Sequence, residues 1–273
     1  MGKKDLMRFM FSPFLGKKFG QDFFEQLQLF AIKGRHFGGG SVIKNSGELY
    51  VLSYIADKLK LKNRLCPVVF DVGANTGEYS AWTVKKFTDK FVDFKVLAFE
   101  PAKKVFQFLK INCNEPQIEV FNFGFSDRAG TSNLFMNDQF SVASSIYKGN
   151  LENFGINVDA IEQITLQTVD GFCQERQIDR IDFLKIDTEG HEMSVLHGAA
   201  SMLSAGKIGF IQFEIGRTSI ESRTFFKDFY DLLGEKYFIY RLLKNGLKLV
   251  TSYKETDEVF MTTNFLAELK ELK

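Results

Sequence analysis

The chain has 273 residues, 45% of them hydrophobic and 25% charged, with 35 basic against 34 acidic side chains and 31 phenylalanines. The apolar fraction and near-zero net charge exclude a disordered chain, and 22 glycines with 4 prolines exclude a collagen-like one. No uncharged apolar run is long enough for a membrane span, and the length suits one large domain with an appendage.

Neutrality conceals an asymmetry. Residues 1–64 carry 12 Lys/Arg against 5 Asp/Glu, a balance of +7, which leaves 23 against 29, or −6, for residues 65–273. In this lead-in Met7, Phe11 and Phe14, then Phe23, Phe24, Leu27 and Phe30, recur at helical spacing with Lys3, Lys4, Arg8, Lys17 and Lys18 between them. The pattern predicts short amphipathic helices in a basic N-terminal extension, residues 1–64. Such helices can lie on anionic lipid, but the sequence favours a cap packed on the main domain with its cations in solvent. Leu6 stands where N-myristoylation requires Ser or Thr. Phe is nearly equally dense in both parts, 8 in residues 1–64 and 23 in the rest, which reads as core filling rather than a binding surface.

From residue 65 short apolar runs alternate with helical patterns, predicting an α/β domain over 65–273 with a largely parallel sheet. Strands are predicted at Pro67–Val72, Lys95–Glu100, Ile118–Gly124, Ile181–Asp187 and Ile208–Ile215. Helices are predicted at Thr76–Phe87, Ala102–Cys113, His191–Leu203 and Glu221–Leu233. Between Arg128 and Asp179, "TSNLFM" and "QITLQTV" alternate like half-exposed strands around the polar loop "NDQFSVASSIYKGNLENFGIN". A loop of that length in a compact domain is usually functional. "KYFIYRLL", the turn Lys244-Asn245-Gly246 and "LKLV" predict a terminal antiparallel hairpin, with "NFLAEL" a further strand.

The first strand runs through Asp71 into Gly73-Ala74-Asn75-Thr76-Gly77 and then a helix, which places a glycine turn where open α/β sheets bind nucleotide-like ligands. Free N–H groups at the helix start would receive an anion. A dinucleotide fingerprint needs glycines where Asn75 and Glu78 stand, and a carboxylate there repels a pyrophosphate. S-adenosylmethionine fits better: it presents only a carboxylate, and its ammonium and sulfonium favour acids such as Asp71. Glu100, 23 residues after Gly77, ends the second strand where a ribose hydroxyl pair would lie.

"FDVGANTGEYS", "AFEP", "GFSD", "DFLKIDTEGHEMSVLHGA" and "FIQFEIG", in that order, together resemble the FkbM family of methyltransferases over about residues 66 to 265. The resemblance implies a Rossmann-like, seven-stranded class I methyltransferase sheet, S-adenosylmethionine as cofactor, and a hydroxyl acceptor on a sugar, a glycan or a related small molecule. It assigns Asp71, Gly73, Ala74, Asn75 and Gly77 to the cofactor turn, Glu100 and Pro101 to the ribose side, and Ser126 and Asp127 to the adenine side. Asp187, Glu189, Glu192 and Glu214 would converge where acceptor meets methyl.

A sugar hydroxyl is a weak acid, so a base should add roughly 10² to 10⁴ in rate, with Asp187, Glu189, Glu214 and His191 as candidates. Clustering would raise one carboxyl toward a useful value, or a divalent ion would gather them; the residues do not choose. Zinc is poorly served, because Val195 occupies the second His position of HExxH and His191 and His197 are six apart. Competing readings are a nicotinamide-dependent sugar oxidoreductase and a non-catalytic protein that binds membrane or nucleic acid through its basic start. Nucleic acid is not the expected partner, since the main domain is acidic and lacks a basic stripe. Cys66, Cys113 and Cys173 lack CxxC spacing and no cleavable leader opens the chain. A cytoplasmic protein is expected, with peripheral contact with the inner membrane face through residues 1–40 as the alternative to the packed cap.

Overall fold

The computed structural model describes residues 11–40, 42–137, 144–148, 158 and 160–270. The predicted helical features at Met7, Lys3, Lys4 and Arg8, and most of the polar loop at 137–157, lie outside the described residues. In chain order the elements are α1 (Gln21–Gly34), α2 (Ile43–Ser46), α3 (Glu48–Leu61), β1 (Val68–Val72), α4 (Glu78–Thr88), β2 (Lys95–Phe99), α5 (Lys103–Asn112), β3 (Ile118–Phe121), β4 (Gly124–Phe125), β5 (Gly130–Met136) and β6 (Ser144–Ser145). There follow β7 (Ala160–Gln167), α6 (Val169–Glu175), β8 (Ile181–Ile186), α7 (Glu192–His197), α8 (Ala200–Ser204), β9 (Ile208–Ile215), α9 (Thr218–Glu221), α10 (Phe226–Leu233), β10 (Tyr237–Leu243), β11 (Gly246–Leu249) and β12 (Thr263–Leu269).

The main sheet has the order β11-β10-β12-β9-β8-β1-β2-β3. Strands β3, β2, β1, β8 and β9 are mutually parallel, and β12 enters antiparallel between β9 and β10. The hairpin β10–β11 forms as predicted, but β11 pairs at the sheet edge, so the sheet has eight strands rather than seven. The predicted strand Ile118–Gly124 divides: Asn122 turns its amide onto the carbonyls of Glu100 and Pro101, and Gly124–Phe125 pairs with β7 in a second sheet. That sheet, β4-β7-β5-β6, is what the excursion between residues 128 and 179 builds. The predicted helix His191–Leu203 also divides. The Gly198 carbonyl accepts from the Asp170 N–H, and the Asp170 carboxylate receives the N–H groups of Ser201 and Met202, restarting the helix as α8.

Strand alternation assigns the two faces. Phe70, Val72, Leu184, Ile186, Ile211 and Phe213 pack with α6, α7, α8 and α10 on one side. Val69, Phe183 and Phe210 pack on the other with α3 and α4. Phenylalanine fills both: Phe70, Phe99, Phe125, Phe183, Phe210 and Phe213 are among the largest fully buried side chains. Each such ring contributes roughly 1.5–3 kcal/mol on burial.

The lead-in is of two kinds. Helix α3 buries Val51, Leu52, Ile55, Ala56 and Leu59 against the sheet, and so belongs to the core of the α/β unit. Helix α1 has no buried residue, contrary to the expected packed cap. Even Phe density along the chain thus hides two uses of the residue, since Phe19, Phe23 and Phe30 are more than half exposed.

Core membership of α3 has a measurable consequence. Leu52→Ala, which removes a fully buried side chain, should destabilise the protein by about 2–5 kcal/mol and lower its urea midpoint. A change below about 0.5 kcal/mol, typical of a surface position, would show that α3 is a detachable appendage.

Candidate functional site

Sheet register builds the site. On the α3/α4 face, Val69, Phe183 and Phe210 stand side by side as an apolar row; one pleat further on, Asp71, Lys185 and Gln212 form a polar row across β1, β8 and β9. At the carboxyl ends follow Gly73, Asp187 and Glu214. Lys185 is buried, with its Nζ 3.4 Å from Asp71 Oδ1 and 3.3 Å from Asp187 Oδ2, and it lies 4.8 Å from the centre of the Tyr79 ring. Desolvation opposes its charge, but Asp187, Asp71 and Glu48 outweigh that and hold the ammonium above its ordinary value. Ser80 Oγ donates to Asp71 Oδ2 at 2.7 Å. Tyr79 Oη donates to Gln212 Oε1 at 2.9 Å, and Gln212 Nε2 to Glu48 Oε1 at 2.8 Å.

Beyond this row opens a cavity of about 550 Å³, within the roughly 300–1,000 Å³ range of small-molecule sites. The sheet side supplies Gly73, Ala74, Asn75, Glu100, Asp187, Glu189 and Glu214, while Leu134, Ile146, Ile164 and Leu166 of the second sheet give an apolar wall. Pro101 and His191 also line it. Asp71, Gly77, Ser126 and Asp127 are not among the residues that line it.

The glycine turn is enforced sterically. Gly73 has φ 78°, and a Cβ there would overlap the Asp187 carbonyl; at Gly77, φ 92°, it would overlap Cys113 Sγ. Four amides of the turn that precedes α4 are bonded within the protein. Those of Gly73 and Ala74 both reach the Phe99 carbonyl, that of Gly77 reaches the Ala74 carbonyl, and that of Asn75 donates to Glu100 Oε2 at 3.0 Å. With Ala102 N–H on Oε1 at 2.9 Å, both oxygens of Glu100 are anchored at the cavity edge. Burial nevertheless raises its carboxyl to about 7.

The segment after β8 is a tight turn organised by Glu192, whose Oε1 accepts from the N–H groups of Thr188 and Gly190 at 2.9 and 3.1 Å. Glu192 is therefore the organiser of the turn and lies outside the cavity lining. Glu189, in the left-handed region at φ 52°, lines the cavity as a solvent-exposed residue, and desolvation, then Asp187 and Glu192, raise its carboxyl. Desolvation, followed by Asp187 and Glu189, raises Glu214 well above the carboxylate range. Three of the candidate carboxylates thus come together; among the described residues no His, Cys, Asp and Glu set is arranged to hold a metal ion.

His191 is placed differently from its expected role. Ser126 Oγ donates to Asp127 Oδ1 at 2.9 Å and so accepts from His191 Nε2, 2.9 Å away; the remaining Nδ1 is left to accept from Tyr147 Oη at 3.3 Å. Both ring nitrogens are engaged, and burial lowers the imidazole below its ordinary value. His191 in this state positions Tyr147 and the second sheet rather than facing an acceptor as a free base. Ser145 Oγ, donating to the Glu189 carbonyl at 3.0 Å, ties the same segment to the acidic turn.

Sequence reasoning missed Lys185, Glu48, Tyr79 and Gln212. A lone lysine inside the apolar run "IDFLKI" was the available signal, since a buried lysine needs an acid partner. Nothing local marks Glu48.

The family described as "Methyltransferase FkbM domain" matches residues 71–242. Over 163 residues the chain is 31% identical to the AMB antimetabolite synthetase AmbE of Pseudomonas aeruginosa, a match covering 48% of this chain and 8% of that protein. The chain therefore spans less than a tenth of that curated relative. Among solved structures it is similar to methyltransferase FkbM from Methylobacillus flagellatus, at 18% identity and TM-score 0.45, over 75% of this chain and 44% of the other. It is also similar to the plantazolicin methyltransferase BpumL in complex with SAH, at 9% identity and TM-score 0.44, over 84% and 86%.

Burial raises Glu192 to about 7 against a reference of 4.5. An acid kept protonated by the fold contributes stability fully below about 4.5 and loses it as pH rises through about 7. His191, shifted down, acts oppositely and loses its contribution as pH falls below its unfolded value. Comparison with Glu192→Gln isolates the acid: between about pH 5 and about pH 7.5 the wild type should lose more stability than the variant. Parallel urea-midpoint curves for the two proteins would refute the shift.

Proposed function

The chain belongs to the FkbM methyltransferase family and is an S-adenosylmethionine-dependent methyltransferase, and on that premise we propose that it methylates a hydroxyl of a sugar, a glycan or a related small molecule. The observation that carries the acceptor class is the trio Asp187, Glu189 and Glu214 gathered on one wall of the cavity beside the glycine turn. A hydroxyl, unlike a thiolate or a neutral amine, must lose a proton during methylation, and that wall is rich in groups able to take one.

The residues present fit the cofactor. Glu100, fixed through two backbone N–H groups, would hold the ribose hydroxyls at the edge of a cavity that Gly73, Ala74 and Asn75 also line. The acidic lining suits a ligand with two cationic centres and one carboxylate. When bound, S-adenosylmethionine supplies an electrophilic methyl group on its sulfonium. The chain's own contribution is first to hold and orient, which can supply roughly 7–11 kcal/mol. Glu189 is the best placed base: its raised carboxyl lies closer to neutrality than an ordinary carboxylate, so it can accept the hydroxyl proton and release it again. Glu214, whose carboxyl burial also raises, stands on the same wall within reach of the acceptor's side of the cavity. Asp187, paired with Lys185, keeps this wall negative toward a cation.

The nicotinamide reading is not retained, because Glu78 lines the cavity at the start of α4, where a pyrophosphate would meet its carboxylate. Nor does family membership leave the non-catalytic reading standing.

Two measurements test the proposal. Calorimetry should show S-adenosylmethionine binding that weakens at least tenfold in Glu100→Ala. Transfer of a labelled methyl group to fractionated sugars and glycans should give a labelled ether, with kcat lowered roughly 10² to 10⁴ in Glu189→Gln and cofactor affinity unchanged. Labelling confined to amine or thiol acceptors would overturn the hydroxyl assignment.

A further inference from the structure

Helix α1 is amphipathic in the wrong sense for a cap. At about 100° per residue, Ile32, which packs against the main core, lies opposite Phe23. Leu27 and Phe30 fall within about 40° of Phe23, so the apolar stripe points away from the body. Exposure agrees, at 53% for Phe23, 41% for Leu27 and 74% for Phe30, with Phe19 just upstream at 72%. Phe11 and Phe24 gather round Phe23, with ring centres 6.0 and 5.4 Å away, and Phe14 packs on Phe19 at 5.7 Å. Two groups of rings, Phe11/Phe23/Phe24 and Phe14/Phe19, thus accompany the exposed stripe, apolar surface of a kind that soluble proteins rarely leave uncovered.

Its charges bear on the occupant. Lys17 and Lys18 precede the helix and Lys33 ends it, all exposed, while of its two acids Glu25 lies on the Ile32 side and Asp22 about 100° round from Phe23, both off the stripe. Residues 1–10 add Lys3, Lys4 and Arg8 against Asp5. A second copy of this face would set cations against cations. An anionic bilayer satisfies both features, since rings enter the boundary region while lysines meet phosphates and carboxylates. We propose that this face of α1, with Phe19, Phe23, Leu27 and Phe30 at its centre, docks the enzyme on an anionic lipid surface. Neither cofactor nor acceptor takes part in that contact, so the docking stands or falls apart from the methyl-transfer reading.

Flotation of the full chain with vesicles, without cofactor, tests it. Binding is expected at low salt to vesicles containing phosphatidylserine, at least tenfold stronger than to phosphatidylcholine alone, and falling as salt rises. Phe19→Ser/Phe23→Ser/Phe30→Ser should weaken it at least tenfold while leaving the thermal midpoint and S-adenosylmethionine affinity unchanged. Lys17→Glu/Lys18→Glu, which alters exposed charges alone, should do the same. Complete recovery in the supernatant at low salt would overturn the proposal, as would unchanged binding in both variants. So would sedimentation showing a dimer that the triple-Ser variant dissolves, or retention by nucleic acid in place of vesicles.

Discussion

A lysine buried in the polar row across β1, β8 and β9 is the constraint around which the site is arranged. Lys185 has lost its water, and the carboxylates of Asp187 and Asp71, with Glu48 from α3, make its charge tolerable. Removing either partner of the fully buried Lys185–Asp71 pair leaves an uncompensated buried charge, at a cost of about 3–5 kcal/mol. The arrangement therefore fixes more than an ion pair. Asp71 also takes the Ser80 hydroxyl, and Tyr79 covers the ammonium, so the first turn of α4 is pinned to β1 and β8. That turn follows the glycine loop directly, and the loop in turn anchors Glu100 through the Asn75 amide.

A cavity with two chemistries results. Its sheet wall is acidic because the carboxyl ends of β1, β2, β8 and β9 bring Glu100, Asp187, Glu189 and Glu214 to one side. Its other wall comes from the excursion, whose small sheet contributes Leu134, Ile146, Ile164 and Leu166 and has its own apolar cluster with Ala102 and Val105. The two walls are joined at the Asp127–Ser126–His191–Tyr147 chain and at the Ser145 contact to the Glu189 carbonyl. A histidine bonded at both nitrogens serves better as a strut than as a base, and this separates His191 from the carboxylates it neighbours in sequence.

The sheet strands and most crossover helices were legible because their cause is local: uninterrupted apolar runs, glycine turns and helical periodicity. Asp71, Glu100, Asp187, Glu189 and Glu214 were legible as candidates because each ends or follows such a strand. What the pattern did not carry is tertiary. Glu48 reaches the cavity only because α3 packs on the far face of the sheet, and no spacing in the sequence connects it with Gln212. The division of Ile118–Gly124 and of His191–Leu203 follows from polar contacts, those of Asn122 and Asp170, whose partners lie outside the segment being read.

The lead-in shows why average composition misleads where two environments meet. Its phenylalanines are as dense as those of the main domain, yet Phe37 is buried at 2% exposure beneath Arg35 and Arg241, while Phe30, seven residues earlier, is 74% exposed. The change in use falls between α1 and α2, ahead of the residue 64 boundary that charge alone suggested. On one side of it the chain supplies Glu48 and the α3 core; on the other, a helix keeps its rings outward. An isolated helix of 14 residues is marginal in water, and one that buries nothing gains little from the body it adjoins. The physical requirement for a cover on that face is thus the same as the requirement for the helix to persist.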